Sequence, residues 1–352
     1  MRIAVLAAAF ALFITPAATA QQAPAQSALN RLLAAEIGRF AGPGGPYRGG
    51  IYIKHMKTGE EAGFRADELF ESASTIKMVM TVMAYRLAEQ KKLNLAERYI
   101  VREADFRGGG IIRLSDPDLN PTLRDVIGEM IMTSNNAATD IMTAKVGGVD
   151  AVNAFLKAEG FNSLRLNSTT FGYFRQRYDL IDTKYKTMTP LDFYALQRNQ
   201  PTKTMTAEMI KRIRAEADAA QVDKRFLELR SDKNYWYGIA TPRDMGRLLE
   251  GIERATIVSK ESADEIKRFM RAQKSGALKI PHWLDVPVAH KTGETTGVTN
   301  DVGVIYAKSG PIIISFYSQG YTGRRSEADS RLGHVARLVV EYFDGAPVAE
   351  TP

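Results

Sequence analysis

The sequence predicts an α+β fold in which an antiparallel five-stranded sheet, built from both ends of the chain, is flanked by helices. Two segments near the start and three near the end have the alternating, β-branched composition of strands. Helical patterns dominate the residues between them. This distribution favours one sheet assembled from the two termini (an α/β sandwich), with an all-α lobe inserted between them.

The first predicted elements are a helix and a hairpin. Residues 27–40 place leucine and isoleucine at helical spacing, and the Gly- and Pro-rich residues 41–50 end that helix. Residues 51–56 and 61–64 are predicted strands, and the turn at 57–59 joins them.

The middle of the chain is mostly helical by pattern. Residues 75–90 are apolar on nearly every face, which is typical of a helix buried at the centre of a large domain. Residues 161–188 are polar and aromatic with no clear period. Further helical patterns lie in residues 122–159, 205–254 and 262–272.

The end of the chain changes character again. Residues 286–292, 301–307 and 311–317 are predicted strands, separated by turns that contain glycine. Residues 326–343 form a final predicted amphipathic helix. These three strands complete the sheet that the early hairpin begins.

Composition and charge narrow the class of protein. The chain has 352 residues, of which 45% are hydrophobic and 25% charged, as in ordinary globular proteins. The net charge is +7, but lysine and arginine are spread along the chain. This spread favours a solvated surface, so we expect no nucleic-acid partner. The chain has no cysteine, and its histidines lack metal-ligand spacing, so we expect no metal or cofactor.

The first twenty residues have the pattern of a secretory signal peptide. Met1-Arg2 is a positive start, residues 3–14 are apolar, and Ala18-Thr19-Ala20 is a small-x-small cleavage signal. The apolar run is too short for a lasting membrane span. We therefore expect cleavage after Ala20, a periplasmic or secreted protein, and no stable membrane insertion.

Ser74 and Lys77 are candidates for a nucleophile and its base. Residues three apart share one face of a helix, so Lys77 lies beneath Ser74 at the start of the predicted buried helix. A serine hydroxyl needs a neighbouring base, and burial lowers the pKa of a lysine enough for that task. An N-capping serine followed by an ordinary lysine fits the same pattern, so these two residues alone do not identify a catalytic pair.

Two further motifs favour the catalytic interpretation of Ser74 and Lys77. Ser134-Asn135-Asn136 follows a predicted helix, and Lys291-Thr292-Gly293 lies on a predicted strand. The order Ser-x-x-Lys, Ser-x-Asn, Lys-Thr-Gly resembles the class A β-lactamases and penicillin-binding proteins. Residues 297–305 and the helix start at 241–245 also resemble that family. The resemblance covers most of residues 27–345 and implies a β-lactamase/DD-peptidase-like fold.

The resemblance also implies a role for each matching residue. Ser74 would be the acylated nucleophile, Lys77 its base or proton relay, and Ser134 the donor to the leaving nitrogen. Lys291 would be the fourth catalytic residue, holding Ser134 and the substrate carboxylate electrostatically. Further substrate contacts would come from Asn136, Thr292, Gly293 and Glu294. The backbone N–H groups of Ser74 and Glu294 would form the oxyanion hole, the kind of preorganised donor pair that stabilises the developing negative charge.

The chain departs from the family in the loop that carries the deacylating glutamate. Thr170 falls near the glutamate's place, and no glutamate occurs from residue 161 to residue 207. Residues 190–240 look like an insertion, because Thr-Pro at 189–190 and at 241–242 both resemble one helix start. The departure puts deacylation in doubt. Possible substitutes, none of them favoured over the others, are Asp179, Asp182, Tyr173 and Tyr178.

Two charged positions and one amide also depart from the family. Glu294 stands where a small or hydroxylic residue is usual, and its carboxylate either offsets the charge of Lys291 or points to solvent. Asn135 replaces an acid, with a small expected effect. Arg324 and Arg325 follow the last strand, where a carboxylate-binding arginine is often found.

Three functions remain open from the sequence. The first is hydrolysis of β-lactams or related amides through a Ser74 acyl-enzyme. The second is a D-Ala-D-Ala peptidase or esterase on the same scaffold. The third is a penicillin- or peptidoglycan-binding protein that acylates with little turnover. We expect a monomer, with an α/β lobe at about 27–73 and 255–345 and an all-α lobe at about 74–254.

Overall fold

The computed structural model describes residues 27–40, 47–107, 119–321 and 323–345. The predicted signal peptide lies outside these residues. The strands are β1 Arg48–His55, β2 Glu61–Phe64, β3 Phe70–Glu71, β4 Arg165–Leu166, β5 Gly238–Ala240, β6 Val288–Thr295, β7 Val298–Ala307 and β8 Gly310–Gln319. The helices are α1 Ala28–Phe40, α2 Lys77–Glu89, α3 Leu123–Met132, α4 Asn136–Lys145, α5 Gly148–Ala158, α6 Thr170–Asp179, α7 Pro190–Arg198, α8 Ala207–Ala219, α9 Val222–Leu229, α10 Pro242–Glu253, α11 Lys260–Arg271 and α12 Arg325–Asp344.

Five strands form one antiparallel sheet in the order β2-β1-β8-β7-β6. The first and last parts of the chain meet where β1 pairs with β8 along its whole length, from Arg48 opposite Gln319 to His55 opposite Ile312. The predicted five-stranded sheet from both chain ends is therefore confirmed.

The two faces of the sheet bury different cores, as the period of two in a strand requires. Along β8, Ile312 and Ile314 pack with the residues of α1 and α12. Ile313 and Tyr317 point the other way, into the core shared with the central helices. Both faces are covered, so β8 is apolar almost throughout.

Helix α2 lies at the centre of the larger core, as its apolar pattern predicts. A short 3-10 turn, Ala73–Ile76, precedes it, and the residues from Lys77 to Tyr85 are all buried. Residues from α3, α4 and α5 belong to the same core. A lysine at the start of such a helix is therefore removed from water on every side.

A second, three-stranded sheet has the order β3-β5-β4 and joins distant parts of the chain. It brings Glu71 opposite Ile239, and Arg165 opposite the same residue from the other side. This small sheet fixes the segment that leads into the 3-10 turn before α2.

Residues 170–229 form four helices, of which α6, α7 and α8 contribute to a third, smaller core. Helix α6 was not predicted, because its aromatic residues follow no single period. Thr169 caps its start, and Phe174 stacks on Phe193 of α7. Helix α10 begins at the predicted Thr241-Pro242 and lies against the main sheet, where Gly246 contacts the ring of Tyr52. The division into two lobes and the insertion at 190–240 stay predictions.

None of the helices in the part of the chain that the structure describes is both long enough and apolar enough to cross a membrane.

Candidate active site

Ser74 lies in the 3-10 turn that connects β3 to α2. Ala73 takes a left-handed φ of 43°, which turns the chain sharply just before Ser74. The turn is held from two sides, since Thr75 Oγ1 donates to the carbonyl of Ser72 at 2.8 Å and Asn300 Nδ2 donates to the same carbonyl at 3.1 Å. The nucleophile candidate therefore stands on a rigid segment.

Lys77 is fully buried and points toward the loop before α4. Its Nζ donates to Ser134 O at 2.7 Å, to Ser134 Oγ at 3.3 Å and to Asn136 Oδ1 at 2.8 Å. Burial holds the pKa of Lys77 well below its ordinary value, and the charge of Lys291 lowers it further, against an opposing effect of Asp140. A neutral amine in this place is able to accept a proton.

The conformation of the loop that carries Ser134 and Asn136 is explained by its own sequence. Ser134 takes a left-handed φ of 56°, and Asn135 caps α4 by accepting a hydrogen bond from Ala138 N at 2.9 Å. The capping amide is buried, and Asn136 follows as the first residue of the helix. The cap thus fixes the direction of the two side chains that Lys77 contacts.

Lys291 reaches the same serine from β6. Its Nζ donates to Ser134 Oγ at 3.0 Å and to the carbonyl of Thr292 at 2.8 Å. Burial lowers the pKa of Lys291 to about 7, with Lys279 adding to the effect and Asp301 opposing it. Ser134 therefore lies between two buried lysines, both of which have a depressed pKa.

The backbone of β6 passes very close to the segment that carries Ser74. A Cβ on Gly293 would lie 2.7 Å from Ser72 O and 3.0 Å from Thr75 N, so glycine alone fits there. Thr292 is buried, and its hydroxyl lies 2.7 Å from Ser275 Oγ.

The sequence left open whether the Glu294 carboxylate offsets the charge of Lys291 or points to solvent, and the structure shows its partners. Its carboxylate accepts hydrogen bonds from Lys279 Nζ at 2.7 Å and from Arg325 Nη1 at 2.9 Å. Burial raises the pKa of Glu294, but Lys279 and Arg325 outweigh burial and lower it. The carboxylate is ionised and paired with two cations other than Lys291. Arg325, a candidate substrate contact, is therefore already hydrogen-bonded to Glu294.

Thr170 occupies the position where the resemblance leads one to expect a glutamate. Thr170 N donates to Asp140 Oδ1 at 2.7 Å, and Phe171 N donates to Asp140 Oδ2 at 3.0 Å. Arg107 Nε pairs with the same carboxylate at 3.0 Å; Arg107 is buried and the Asp140 side chain is 10% exposed. Asp140 thus fastens the start of α6 beneath the site.

A small cavity of about 50 Å³ opens beside Ser74. Its walls are Glu71, Ala73, Ser74, Asn136, Thr170, Tyr173, Phe174, Tyr237, Glu294 and Thr295. Of the four loop residues proposed to replace the glutamate, Tyr173 lines this cavity. Asp182 caps a 3-10 turn, and Tyr178 packs on Phe193.

Several residues of the site were missed by sequence reasoning. Glu71, Asp140 and Lys279 are charged residues set among small or apolar neighbours, and that isolation is the available signal. A buried charge needs a partner, so each of them marks a contact. Their partners, Arg230, Arg107 and Glu294, lie far away in the sequence or on another element.

The sheet and helices together have the fold of the class A β-lactamases. A sequence model of the Beta-lactamase enzyme family matches residues 29–343, and the chain belongs to this family. The predicted resemblance to the class A β-lactamases is therefore confirmed.

Similarity to individual proteins is low. β-lactamase L2 of Stenotrophomonas maltophilia is 32% identical over 40% of this chain and 46% of its own length. β-lactamase CTX-M-8 of Citrobacter amalonaticus is 23% identical over 80% of this chain and 79% of its own length.

Two solved structures share the fold over most of both chains. The β-lactamase of Sphaerobacter thermophilus has a TM-score of 0.66 and 20% identity, covering 90% of this chain and 98% of its own. A mutant of PBP-A, solved as an acyl-enzyme complex with penicillin G, has a TM-score of 0.66 and 19% identity, with 90% and 96% covered.

The Asp140 pairing makes a prediction about stability. Asp140→Asn leaves Arg107 buried without a countercharge, so we expect the free energy of unfolding to fall by about 3 kcal/mol. Asp67→Asn is the control, because Asp67 pairs with Arg243 but its side chain is 73% exposed, and we expect a loss of under about 1 kcal/mol. Chemical denaturation measures both. Equal losses would contradict the role given to Asp140.

Proposed function

We propose that the chain is an exported serine hydrolase that opens β-lactams or related amides through a Ser74 acyl-enzyme. One observation carries the proposal: the Ser134 hydroxyl lies 3.3 Å from Lys77 Nζ and 3.0 Å from Lys291 Nζ, beside the turn that holds Ser74. Two buried lysines around one serine form a path for a proton. The predicted signal peptide would deliver this hydrolase to the periplasm or the outside.

The acylation step follows from that path. Neutral Lys77 takes the proton of Ser74 as Ser74 Oγ bonds to the amide carbonyl carbon. The oxygen becomes negative and is stabilised by the backbone N–H groups of Ser74 and Glu294. The C–N bond then breaks, and the leaving nitrogen receives a proton through Ser134, which is replenished from Lys77.

The substrate contacts lie along β6 and at the start of α4. Protonated Lys291 attracts a substrate carboxylate, and the Thr292 hydroxyl binds it. Asn136 Oδ1 accepts a hydrogen bond from Lys77 Nζ, and its Nδ2 would be the donor to a substrate amide. Similarity to several β-lactamases and to PBP-A supports a β-lactam or a peptidoglycan-like amide as the substrate.

A second candidate is an acylating penicillin- or peptidoglycan-binding protein with little turnover. Thr170 favours it, because a threonine whose hydroxyl donates to Asn136 O at 3.2 Å is no base. The two candidates share the acylation step and differ in the lifetime of the acyl-enzyme. A D-Ala-D-Ala peptidase or esterase would differ in substrate.

Ser74→Ala tests acylation. With nitrocefin, the wild type is expected to gain the mass of one β-lactam and to show colour change, because Ser74 Oγ forms the bond. The variant is expected to show neither. Intact mass spectrometry and absorbance record both results.

The outcome of this experiment separates the candidates. Steady turnover supports the hydrolase, and a single stoichiometric burst supports the binding protein. Release of D-Ala from a pentapeptide would favour the peptidase. A wild type that shows neither colour change nor an adduct would contradict the proposal.

The pKa of Lys291 predicts an alkaline limb in the pH profile. With a pKa of about 7, Lys291 is charged below pH 7 and loses its charge as the pH rises through that value. We expect kcat/KM for an anionic β-lactam to fall above pH 7, by about tenfold per unit at most. Lys291→Arg stays charged, so its profile is expected to stay flat to pH 9. The same limb in the variant would rule out Lys291 as its source.

A further inference from the structure

The cavity beside Ser74 is the place where water could reach an acyl-enzyme. An ester of Ser74 needs water and a base that takes a proton from it. One water needs roughly 10–15 Å³ of such space, so the cavity of about 50 Å³ holds a few. Its walls therefore have to supply the base.

Glu71 has the geometry of that base. It lines the cavity together with Ser74, and only 1% of its surface is exposed. It lies in β3, three residues before Ser74, and the pairing of β3 with β5 keeps its backbone in place. Asn300 Nδ2 also donates to the Glu71 carbonyl at 2.9 Å, so this position is held from two directions.

The Glu71 carboxylate is held in place at the cavity wall by several donors. Arg230 Nε donates to Oε2 at 3.0 Å, Arg230 Nη2 donates to the same oxygen, and the Tyr173 hydroxyl donates to Oε1 at 3.2 Å. A backbone hydrogen bond from Tyr237 also reaches the carboxylate. Tyr173 lies at the wall of the same cavity, and its hydroxyl is also 3.1 Å from Thr295 Oγ1. This chain of contacts orients the carboxylate along the cavity wall.

We propose that Glu71 is the general base that activates the hydrolytic water on the Ser74 acyl-enzyme, with Tyr173 as a positioning residue. The inference rests on the proposed acylation of Ser74. It assigns the work of the missing loop glutamate to a residue in β3, the strand before the nucleophile.

The step balances with groups that line the cavity. Glu71 takes a proton from water while the water oxygen bonds to the acyl carbonyl carbon. The tetrahedral intermediate collapses, and the bond between that carbon and Ser74 Oγ breaks. The proton on Glu71 returns to Ser74 Oγ through the water in the cavity, and the product leaves as an acid.

The electrostatic surroundings support this assignment. Burial raises the pKa of Glu71, while Arg230 opposes the rise, so the carboxyl is a stronger base than an exposed one. Burial also raises the pKa of Tyr173 to about 12, which keeps its hydroxyl protonated as a donor. Arg230 has a structural task too, because its guanidinium contacts the Thr296 carbonyl.

Glu71→Gln is the test, because it removes the base and keeps the size of the side chain. We expect it to form the Ser74 adduct with nitrocefin as fast as the wild type. Its deacylation is expected to slow by about 10² or more, the usual contribution of a general base. Stopped-flow absorbance and time-resolved intact mass measure the two steps separately. Glu68→Gln is the control, since Glu68 pairs with Arg48 at the surface nearby.

Hydroxylamine separates a base from a structural ion-pair partner. This strong nucleophile attacks an ester without a general base, so it is expected to release the Glu71→Gln adduct at nearly the rate of the wild-type adduct. A site distorted by loss of the Arg230 pair would not be restored in this way. Failure of hydroxylamine to rescue the variant would overturn the proposal.

Other results also test the assignment of Glu71 as the general base. Deacylation of Glu71→Gln at the wild-type rate would overturn the assignment, and so would a wild-type adduct that persists as long as that of the variant. If Glu71→Gln does not fold, Glu71→Asp keeps the charge but shortens the reach, and it must deacylate more slowly than the wild type. A wild type that neither hydrolyses nitrocefin nor forms an adduct would instead contradict the proposed function itself.

Discussion

The hydrogen bonds of Lys77 are the interaction on which the rest of the site depends. Its Nζ joins the buried start of α2 to the Ser134 carbonyl and to Asn136 Oδ1. A helix of ordinary amphipathic character would leave such a lysine partly in water, with its proton. Because α2 is buried on all sides, Lys77 loses its hydration and is held by neutral oxygen atoms. The same packing that stabilises the helical core therefore creates the base that Ser74 requires.

The main sheet places strand β6, with Lys291 and Gly293, against the segment that carries Ser74. Gly293 lets β6 approach the carbonyl of Ser72 so closely that no side chain fits between them. Lys291 then reaches Ser134 from the side opposite Lys77. Behind β6, Lys279 and Arg325 pair with Glu294, and the pKa of Lys291 is lowered by Lys279 and raised by Glu294. The charge available to a substrate is thus determined by a network in which Lys279 is wholly buried.

Sequence patterns predict those parts of the molecule whose causes are local. The apolar run of β8, the apolar helix α2 and the motif of Ser74 with Lys77 are each contained in one short segment. Glu71 could not be found in this way, because Tyr173 and Arg230, which surround it, lie 102 and 159 residues away in the chain. Helix α6 was missed because Asp140, on another helix, binds its first N–H groups. Only the folded chain brings these residues together, so no period or spacing records them.

The pKa of Lys77 is the most direct measure of this account. Lysine labelled with ¹³C at Cε allows an NMR titration of the folded protein, with the Lys77 signal assigned by its absence in Lys77→Arg. We expect the pKa of Lys77 to lie well below the ordinary value of 10.5, because Lys77 is buried beside Lys291. A Lys77 signal that titrates at about 10.4, as in a solvated lysine, would contradict it, since Ser74 would then lack a neutral base at neutral pH.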